Sequence, residues 1–189
     1  MSGTATIHDA ELKPGKLELL AQWLPSRPWF TGDAADLERV ASFRFVDPDG
    51  EVGIETILVR SAGVVYQVPL TYRDAALDES DAAYLIGTMD HSVLGKRWVY
   101  DATGDPVYVA ELIRVIHEAD TEADLSKGSK TMTVVGSGIT AVSNAAGEAA
   151  RLVRVLDGKH VPAAIPLGTL TGTWTDDGGE HTEVLATLR

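Results

Sequence analysis

The 189-residue sequence contains no cysteine, so disulfide bonds and thiolate-bound zinc are excluded. It also has no apolar run near the roughly 18 residues that a membrane span requires. Residues 1–15 lack both the basic start and the apolar core of a secretory signal peptide. We therefore expect a cytoplasmic protein that does not enter the membrane.

Positive charge is scarce in this sequence. The 16 lysines and arginines are outnumbered by 28 aspartates and glutamates, which gives a formal net charge of −12. The basic residues occur singly and an acidic surface repels nucleic acid, so we expect no nucleic-acid partner. The hydrophobic fraction of 44% is ordinary for a globular protein, and the length suits one domain or one domain with a small lobe.

Sequence patterns that carry catalysis or bind metals are also missing. The five histidines show neither H-x-x-x-H nor H-x-H spacing, so no sequence-local metal site is expected. The sequence has no G-x-S-x-G nucleophile motif. Asp90, His91 and Ser92 are adjacent, whereas the members of a catalytic triad come from separate segments. We therefore predict no catalytic residues, no metal and no cofactor.

One glycine-rich segment needs a separate assessment. Residues 136–141 match G-x-G-x-x-A after a strand pattern, with Asp157 near the distance expected for a ribose contact. However, Gly147 interrupts the following segment, and only about 30 residues remain after Asp157, too few for the rest of a doubly wound sheet. A glycine-containing turn is the favoured interpretation.

The first half of the chain predicts a helix followed by an antiparallel meander. The helix carries an apolar stripe at Leu12, Leu17, Leu19, Leu20, Trp23 and Leu24. Pro14 is placed in its first turn, and Pro25 and Pro28 end it. Strand patterns cover 40–45, 54–59 and 64–70, with a turn at 47–50.

The second half predicts one more helix and further strands. Weak strand patterns cover 82–86 and 96–100. Asp105 and Pro106 are typical of a helix start, and the apolar pattern fades near Glu118. The polar segment 119–130 then divides a first domain, residues 1–118, from a C-terminal segment, residues 129–189. That segment has strand patterns at 131–135, 152–156, 168–174 and 182–188, with a hairpin turn at 176–179.

Three short motifs point to a known family. They are WLPSRPWFTG at 23–32, YQVPL at 66–70, and WVYDA at 98–102 followed by Asp105 and Pro106. In this order they resemble markers of the N-terminal cap domain of actinobacterial maltokinases and related trehalose-pathway kinases. The similarity spans about residues 12–118. The match is closer to a group of short actinobacterial proteins that carry this cap-like domain alone, some of which are labelled 1,4-α-glucan branching proteins.

The resemblance implies an α+β fold, with an antiparallel sheet packed against two helices in a cystatin-like cap and a C-terminal all-β segment. A branching enzyme needs a barrel of about 250 residues, which this chain does not hold. Phosphoryl transfer in the related kinases uses an H-G-D loop, and the sequence has none. Residues 152–155 and 160–162 resemble short segments of the kinase lobe, but Arg154 occupies the position at which the family has an ATP-binding lysine. We therefore expect no enzyme activity.

Two functions remain open at this point. The first is docking to a partner protein, an enzyme of glucan, maltose or trehalose metabolism. The second is binding of a small molecule or saccharide. A homodimer through exposed sheet edges and a site assembled only in space also stay open. The candidate ligand- or partner-binding residues are Trp23, Arg27, Trp29, Phe30, Tyr66, Trp98 and Tyr100. Packing of these aromatics in the core is the competing interpretation.

Overall fold

Antiparallel strands make up most of the fold, which we describe from a computed structural model covering residues 3–139, 149–159 and 165–189. Residues 160–162 and the end of the 136–141 motif lie outside the described residues. In chain order the strands are β1 Thr4–Ala5, β2 Leu12–Lys13, β3 Glu38–Val46, β4 Gly53–Ser61, β5 Val64–Arg73, β6 Leu85–His91, β7 Gly95–Asp101, β8 Asp124–Leu125, β9 Met132–Gly136, β10 Ala150–Leu152, β11 Val155–Leu156, β12 Gly168–Asp176 and β13 Gly179–Leu188.

The larger sheet has seven strands in the order β2-β6-β7-β5-β4-β3, with β11 pairing on β5 next to β7. Its centre is the predicted β3–β4–β5 meander, and each strand extends beyond the predicted limits. The Asp47 carboxylate accepts hydrogen bonds from the backbone N–H groups of Asp49, Glu51 and Val52. Gly50 adopts a φ of 72°, a conformation that glycine tolerates without strain. The turn predicted at 47–50 is therefore confirmed.

Two helices pack on opposite faces of the larger sheet. Helix α1, Lys16–Trp23, buries Leu19, Leu20 and Trp23 against one face. Helix α2, Pro106–His117, buries Leu112 and Ile116 against the other. The start of α2 follows the prediction, because Asp105 accepts a hydrogen bond from the Val107 N–H and Pro106 occupies the first turn. The fold is thus mixed α+β and rich in antiparallel strands.

The smaller sheet has four strands in the order β10-β13-β12-β9. Its central hairpin turns at 176–179, as predicted, with Asp176 opposite Gly179. Helix α2 lies between the two sheets. Buried side chains from both predicted segments form one hydrophobic core there, among them Phe43, Leu112, Val134, Leu170 and Leu185. The division into residues 1–118 and 129–189 stays a prediction.

Three local predictions are corrected by the structure. Helix α1 begins at Lys16, after Pro14, while Leu12 and Lys13 form β2 on the edge of β6. Proline disfavours the helical conformation at the residue before it, here Lys13, which is consistent with this later start. The strand predicted at 82–86 begins at Leu85, because Glu79–Tyr84 forms a 3-10 helix.

The third correction concerns the strand predicted at 152–156. The chain leaves the smaller sheet after β10 and joins the larger sheet at β11. The Val153 N–H donates to the Leu185 carbonyl in the smaller sheet, whereas the Arg154 carbonyl accepts from the Gln67 N–H in the larger one. The backbone of this short segment therefore connects the two sheets.

The N-terminal segment, residues 3–13, crosses one end of the larger sheet. Strand β1 pairs in parallel with β8, and β2 pairs with β6 at the opposite side. Between them, the Ile7 N–H donates to the Ser126 hydroxyl and the Glu11 N–H to the Ser92 hydroxyl. Among the described residues, no helix has the length and apolar character to span a membrane.

Candidate functional site

Five of the seven predicted site residues lie together, and we call Trp23, Arg27, Trp29, Phe30 and Tyr66 the aromatic cluster. The ring centroids are 5.9 Å apart for Trp23 and Trp29, and 4.9 Å apart for Phe30 and Tyr66. The Arg27 guanidinium lies 4.9 Å from the centroid of the Trp23 ring. These distances fit aromatic and cation–π contacts.

The proline-rich turn after α1 places these rings. Leu24–Ser26 forms a 3-10 turn, in which the Arg27 N–H donates to the Leu24 carbonyl. The Phe30 N–H then donates to the Arg27 carbonyl, and this second turn brings Trp29 and Phe30 back over the sheet. The side chain of Phe30 consequently contacts Tyr66 of β5.

Core packing accounts for part of the aromatic cluster. Trp23 is 7% exposed and Tyr66 is 1% exposed, so neither offers a surface to a ligand. Arg27, Trp29 and Phe30 are half-buried. The cluster is thus a buried base with one accessible edge, formed by these three side chains.

The structure adds Arg154 and Asp101 to this edge. The Arg154 guanidinium lies 4.9 Å from the Trp29 ring centroid. Its Nη2 atom donates to both Asp101 carboxylate oxygens, at 2.8 and 2.6 Å, and to the Thr103 hydroxyl at 3.2 Å. The motif at 98–102 pointed to Asp101, but no sequence signal linked it to an arginine so distant in the chain. Arg154 therefore connects Trp29 to Asp101 in this fold.

Trp98 and Tyr100 lie elsewhere on β7. Trp98 is half-buried, and the Lys96 ammonium lies 4.7 Å from its ring centroid. Tyr100 is 2% exposed, and its hydroxyl accepts a hydrogen bond from the Leu77 N–H. Among the described residues no ring contact joins either side chain to the aromatic cluster. The structure thus separates these two residues from the other five.

A second group of polar residues, the Glu55 cluster, was not foreseen from the sequence. It comprises Glu55, Lys16, Arg39, Arg44 and Tyr72. The Glu55 carboxylate lies 2.5 Å from Lys16 Nζ, 3.0 Å from an Arg44 nitrogen, 3.4 Å from an Arg39 nitrogen and 2.8 Å from the Tyr72 hydroxyl. The Glu55 side chain is 2% exposed. Three basic side chains therefore surround one buried carboxylate.

Burial and charge determine the protonation of this cluster. Burial by itself would raise the pKa of Glu55, but Arg44, Lys16 and Arg39 outweigh it and lower the pKa to about 2. Burial lowers the pKa of Lys16 despite the attraction of Glu55. Burial and the Glu55 charge raise the pKa of Tyr72. Glu55 is therefore ionised and Tyr72 neutral near pH 7.

A cleft of about 810 Å³ opens beside the Glu55 cluster. We call it the basic cleft, because Lys16, Arg44 and Arg97 line it. Residues 4–12 form one wall, and the β3–β4 and β6–β7 hairpins form the others. Its residues come from four separate parts of the sequence, so no local pattern could have identified it. The volume falls within the range of small-molecule sites.

The segment 90–92 has structural contacts. The Nδ1 atom of His91 accepts hydrogen bonds from the Val93 and Leu94 N–H groups, and the Ser92 hydroxyl accepts one from Glu11. These contacts close the β6–β7 turn and hold the N-terminal segment. Among the described residues, no three histidine, aspartate or glutamate side chains are grouped so that they could hold a metal ion.

The described part of the glycine-rich segment also serves packing. A Cβ atom on Gly136 would lie 2.0 Å from the Val115 carbonyl oxygen, so the backbone of β9 contacts the end of α2 at this point. The Ser137 hydroxyl accepts a hydrogen bond from the Thr169 N–H. Thr140 and Ala141 of this motif lie outside the described residues.

The fold and these sites define a mixed α+β domain whose three sequence motifs lie at the end of α1 and the turn after it, on β5, and on β7. Residues 23–105 match the family model described as the maltokinase N-terminal cap domain. The match runs from the first motif to the N-cap of α2, and it supports the family that the motifs indicated. No curated protein matches the sequence.

Proposed function

We propose that this chain is a non-catalytic accessory or regulatory domain that acts by docking to a partner protein. The match of residues 23–105 to the cap family carries the proposal, because this family is the non-catalytic N-terminal region of maltokinase. By this kinship the proposed partner is an enzyme of glucan, maltose or trehalose metabolism, and the proposed compartment is the cytoplasm.

The accessible edge of the aromatic cluster is the proposed docking surface. Trp29, Phe30 and Arg27 are half-buried there, on a base of buried aromatic side chains. Tryptophan and arginine are enriched among the residues that dominate binding at protein interfaces. Arg154, which is hydrogen-bonded to Asp101, lies over the Trp29 ring, so we expect Trp29 to lose less side-chain entropy on binding.

The test begins with the tagged native protein in a lysate of its own host. Proteins retained under gentle conditions are identified by mass spectrometry, and a candidate enzyme is then purified and titrated by calorimetry. We expect stoichiometric binding that Trp29→Ala weakens about tenfold or more, as for a central interface tryptophan. The absence of any retained protein, with an inert chain in lysate, would contradict the proposal.

Trp98→Ala is the matched control. Both tryptophans are half-buried and have a cation over the ring, Arg154 for Trp29 and Lys96 for Trp98. Trp98 lies outside the aromatic cluster, so its replacement is expected to leave partner affinity unchanged within about twofold. Equal losses in the two variants would show that the docking surface is misplaced. Circular dichroism checks that both variants are folded.

Saccharide binding is the second candidate function. The half-buried Trp29 and Phe30 favour it, because sugars stack on aromatic faces, together with the groove of the cystatin-like arrangement implied by the resemblance. That arrangement and the homodimer remain predictions, the latter testable by sedimentation. Calorimetry with malto-oligosaccharides and trehalose tests the candidate, and flat titrations at millimolar ligand would remove it.

A further inference from the structure

The basic cleft combines an unusual charge with an accessible volume. The whole chain has a net charge of −12, yet Lys16, Arg44 and Arg97 all line this cleft of about 810 Å³. Lys16 and Arg44 each keep 20% of their side chain exposed, although both contact Glu55. Three basic side chains of this acidic protein thus line one opening, together with Asp47, Glu51 and Asp74.

Glu55 does not neutralise the basic side chains that surround it. In the Glu55 cluster one carboxylate faces three basic side chains, of which Lys16 and Arg44 line the cleft. The carboxylates that line the cleft itself are Asp47, Glu51 and Asp74. Asp47 is 5% exposed and accepts three backbone N–H groups of its own turn. Glu51 and Asp74 are exposed, where solvent screens their charge.

The guanidinium of Arg97 has hydrogen-bond donors that the fold does not use. Its Nη2 atom donates to the Leu94 carbonyl, whereas its buried Nε atom has no hydrogen-bond partner among the described residues. No carboxylate within residues 3–139, 149–159 and 165–189 forms an ion pair with Arg97. A buried donor without a partner costs free energy, so the fold leaves the Arg97 guanidinium incompletely hydrogen-bonded.

The local electrostatics agree with this geometry. Burial lowers the pKa of His91 in the cleft wall, and His8, Arg97 and Lys16 lower it further. Arg97 and Lys16 therefore both lie close enough to act on the imidazole at this end of the cleft.

We propose that the basic cleft binds a small molecule through a phosphate monoester group, with Lys16, Arg44 and Arg97 as its contacts. A phosphate monoester carries a charge of about −1.5 to −2 near neutral pH, which suits contact with several basic side chains. Arginine forks bind phosphate oxygens in pairs. The cleft is far larger than a single phosphate and is lined by polar and apolar groups, so it also accommodates the polar body of the ester.

This proposal is independent of partner docking, which uses the aromatic cluster. The test is calorimetry of the whole chain with glucose 6-phosphate, unphosphorylated glucose and inorganic phosphate. We expect one molecule of glucose 6-phosphate to bind per chain, with competition from inorganic phosphate and weaker binding as salt rises. Glucose without the phosphate is expected to give no heat. No binding of glucose 6-phosphate at millimolar concentration would overturn the proposal, as would equal binding of glucose.

Two variants locate the site. Arg97→Gln removes a contact to the phosphate and is expected to weaken binding about tenfold or more, as for a lost charge-assisted hydrogen bond. Lys96→Gln is the control, because it removes the same charge from the adjacent residue, whose ammonium lies over the Trp98 ring. Equal weakening in both variants would show non-specific attraction and overturn the assignment.

Leu94→Asp covers the case in which Arg97→Gln does not fold. Leu94 lines the cleft and is 44% exposed, so the fold is expected to tolerate the change. The new carboxylate repels the phosphate and is expected to abolish binding of glucose 6-phosphate. Unchanged affinity in a folded Leu94→Asp variant would place the ligand outside this cleft.

Discussion

At the scale of single residues, Glu55 shows how a buried charge depends on its surroundings. The carboxylate lies on a central strand of the larger sheet, where an unpaired charge would be very costly. Lys16 reaches it from the start of α1, and Arg39 and Arg44 reach it from the neighbouring strand β3. These contacts stabilise the ionised carboxylate, and they place Lys16 and Arg44 at the wall of the basic cleft.

The Glu55 contacts predict a pH-dependent loss of stability. The folded-state pKa of about 2 lies below the ordinary value of 4.5. The stabilisation is therefore present above about pH 4.5 and is lost as the pH falls toward 2. Glu55→Gln is expected to lower the free energy of unfolding by about 3 kcal/mol at pH 7, as for a broken buried pair. Urea unfolding of both proteins across this range measures the difference.

Glu38→Gln on β3 is the control for this prediction. Glu38 is 68% exposed and 3.5 Å from an Arg60 nitrogen, so its replacement is expected to change stability by less than about 0.5 kcal/mol at either pH. A Glu55→Gln effect that stays the same from pH 7 to pH 3 would contradict the assigned protonation state.

At the scale of secondary-structure elements, the start of α2 is attached to the larger sheet. Asp105 caps the helix by accepting the Val107 N–H, and its carboxylate also accepts two hydrogen bonds from Arg73 of β5, both 2.7 Å long. Burial would raise the pKa of Asp105, but the hydrogen bonds, led by that of Arg73, hold it below its ordinary value. One side chain thus determines where α2 begins and where it meets the sheet.

Two substitutions at Asp105 separate these roles. Asp105→Asn keeps an oxygen for the cap but loses the charge, and we expect a loss of about 2 kcal/mol. Asp105→Ala removes the cap as well, for a total of about 3 kcal/mol, since a helix cap contributes about 1 kcal/mol. Thermal unfolding followed by circular dichroism measures both. Asp78→Asn, at an exposed position without a side-chain cap hydrogen bond, is the control with no expected change. Equal losses for the two Asp105 variants would rule out a separate contribution from the cap.

At the scale of the whole molecule, the two sheets are connected by more than the core around α2. Gln67 of β5 is fully buried, and its amide nitrogen donates to the Val153 and Leu185 carbonyls at 2.8 and 2.9 Å. Both acceptors belong to the C-terminal part of the chain. We therefore predict that residues of the two predicted segments unfold in one transition.

Gln67→Leu tests this connection. Leaving the Val153 carbonyl without this donor is expected to cost about 2 kcal/mol. Amide hydrogen exchange is expected to speed up in β11 and β13 as well as in β5, because the bond joins them. The exposed Gln22→Leu is the control. Separate unfolding transitions by tryptophan fluorescence and circular dichroism, or faster exchange confined to β5, would contradict a cooperative unit.

The sequence by itself determined the features that depend on neighbouring residues. The turn at 47–50, the cap and proline that start α2, and the hairpin turn at 176–179 all follow from local conformational preferences. The three motifs indicated the family for the same reason, since each is a short segment that can be read without the fold. The aromatic motif at 23–32 also indicated most of the aromatic cluster.

The tertiary structure decided which distant residues meet. Arg154 contacts Trp29 and Asp101, and Arg44 and Lys16 contact Glu55, only because the sheet and α1 bring separate segments together. The division of the strand predicted at 152–156 between two sheets has the same origin, because hydrogen-bond partners in other strands decide it. Long-range contacts leave no periodic pattern in the sequence, so the basic cleft emerged only from the folded chain.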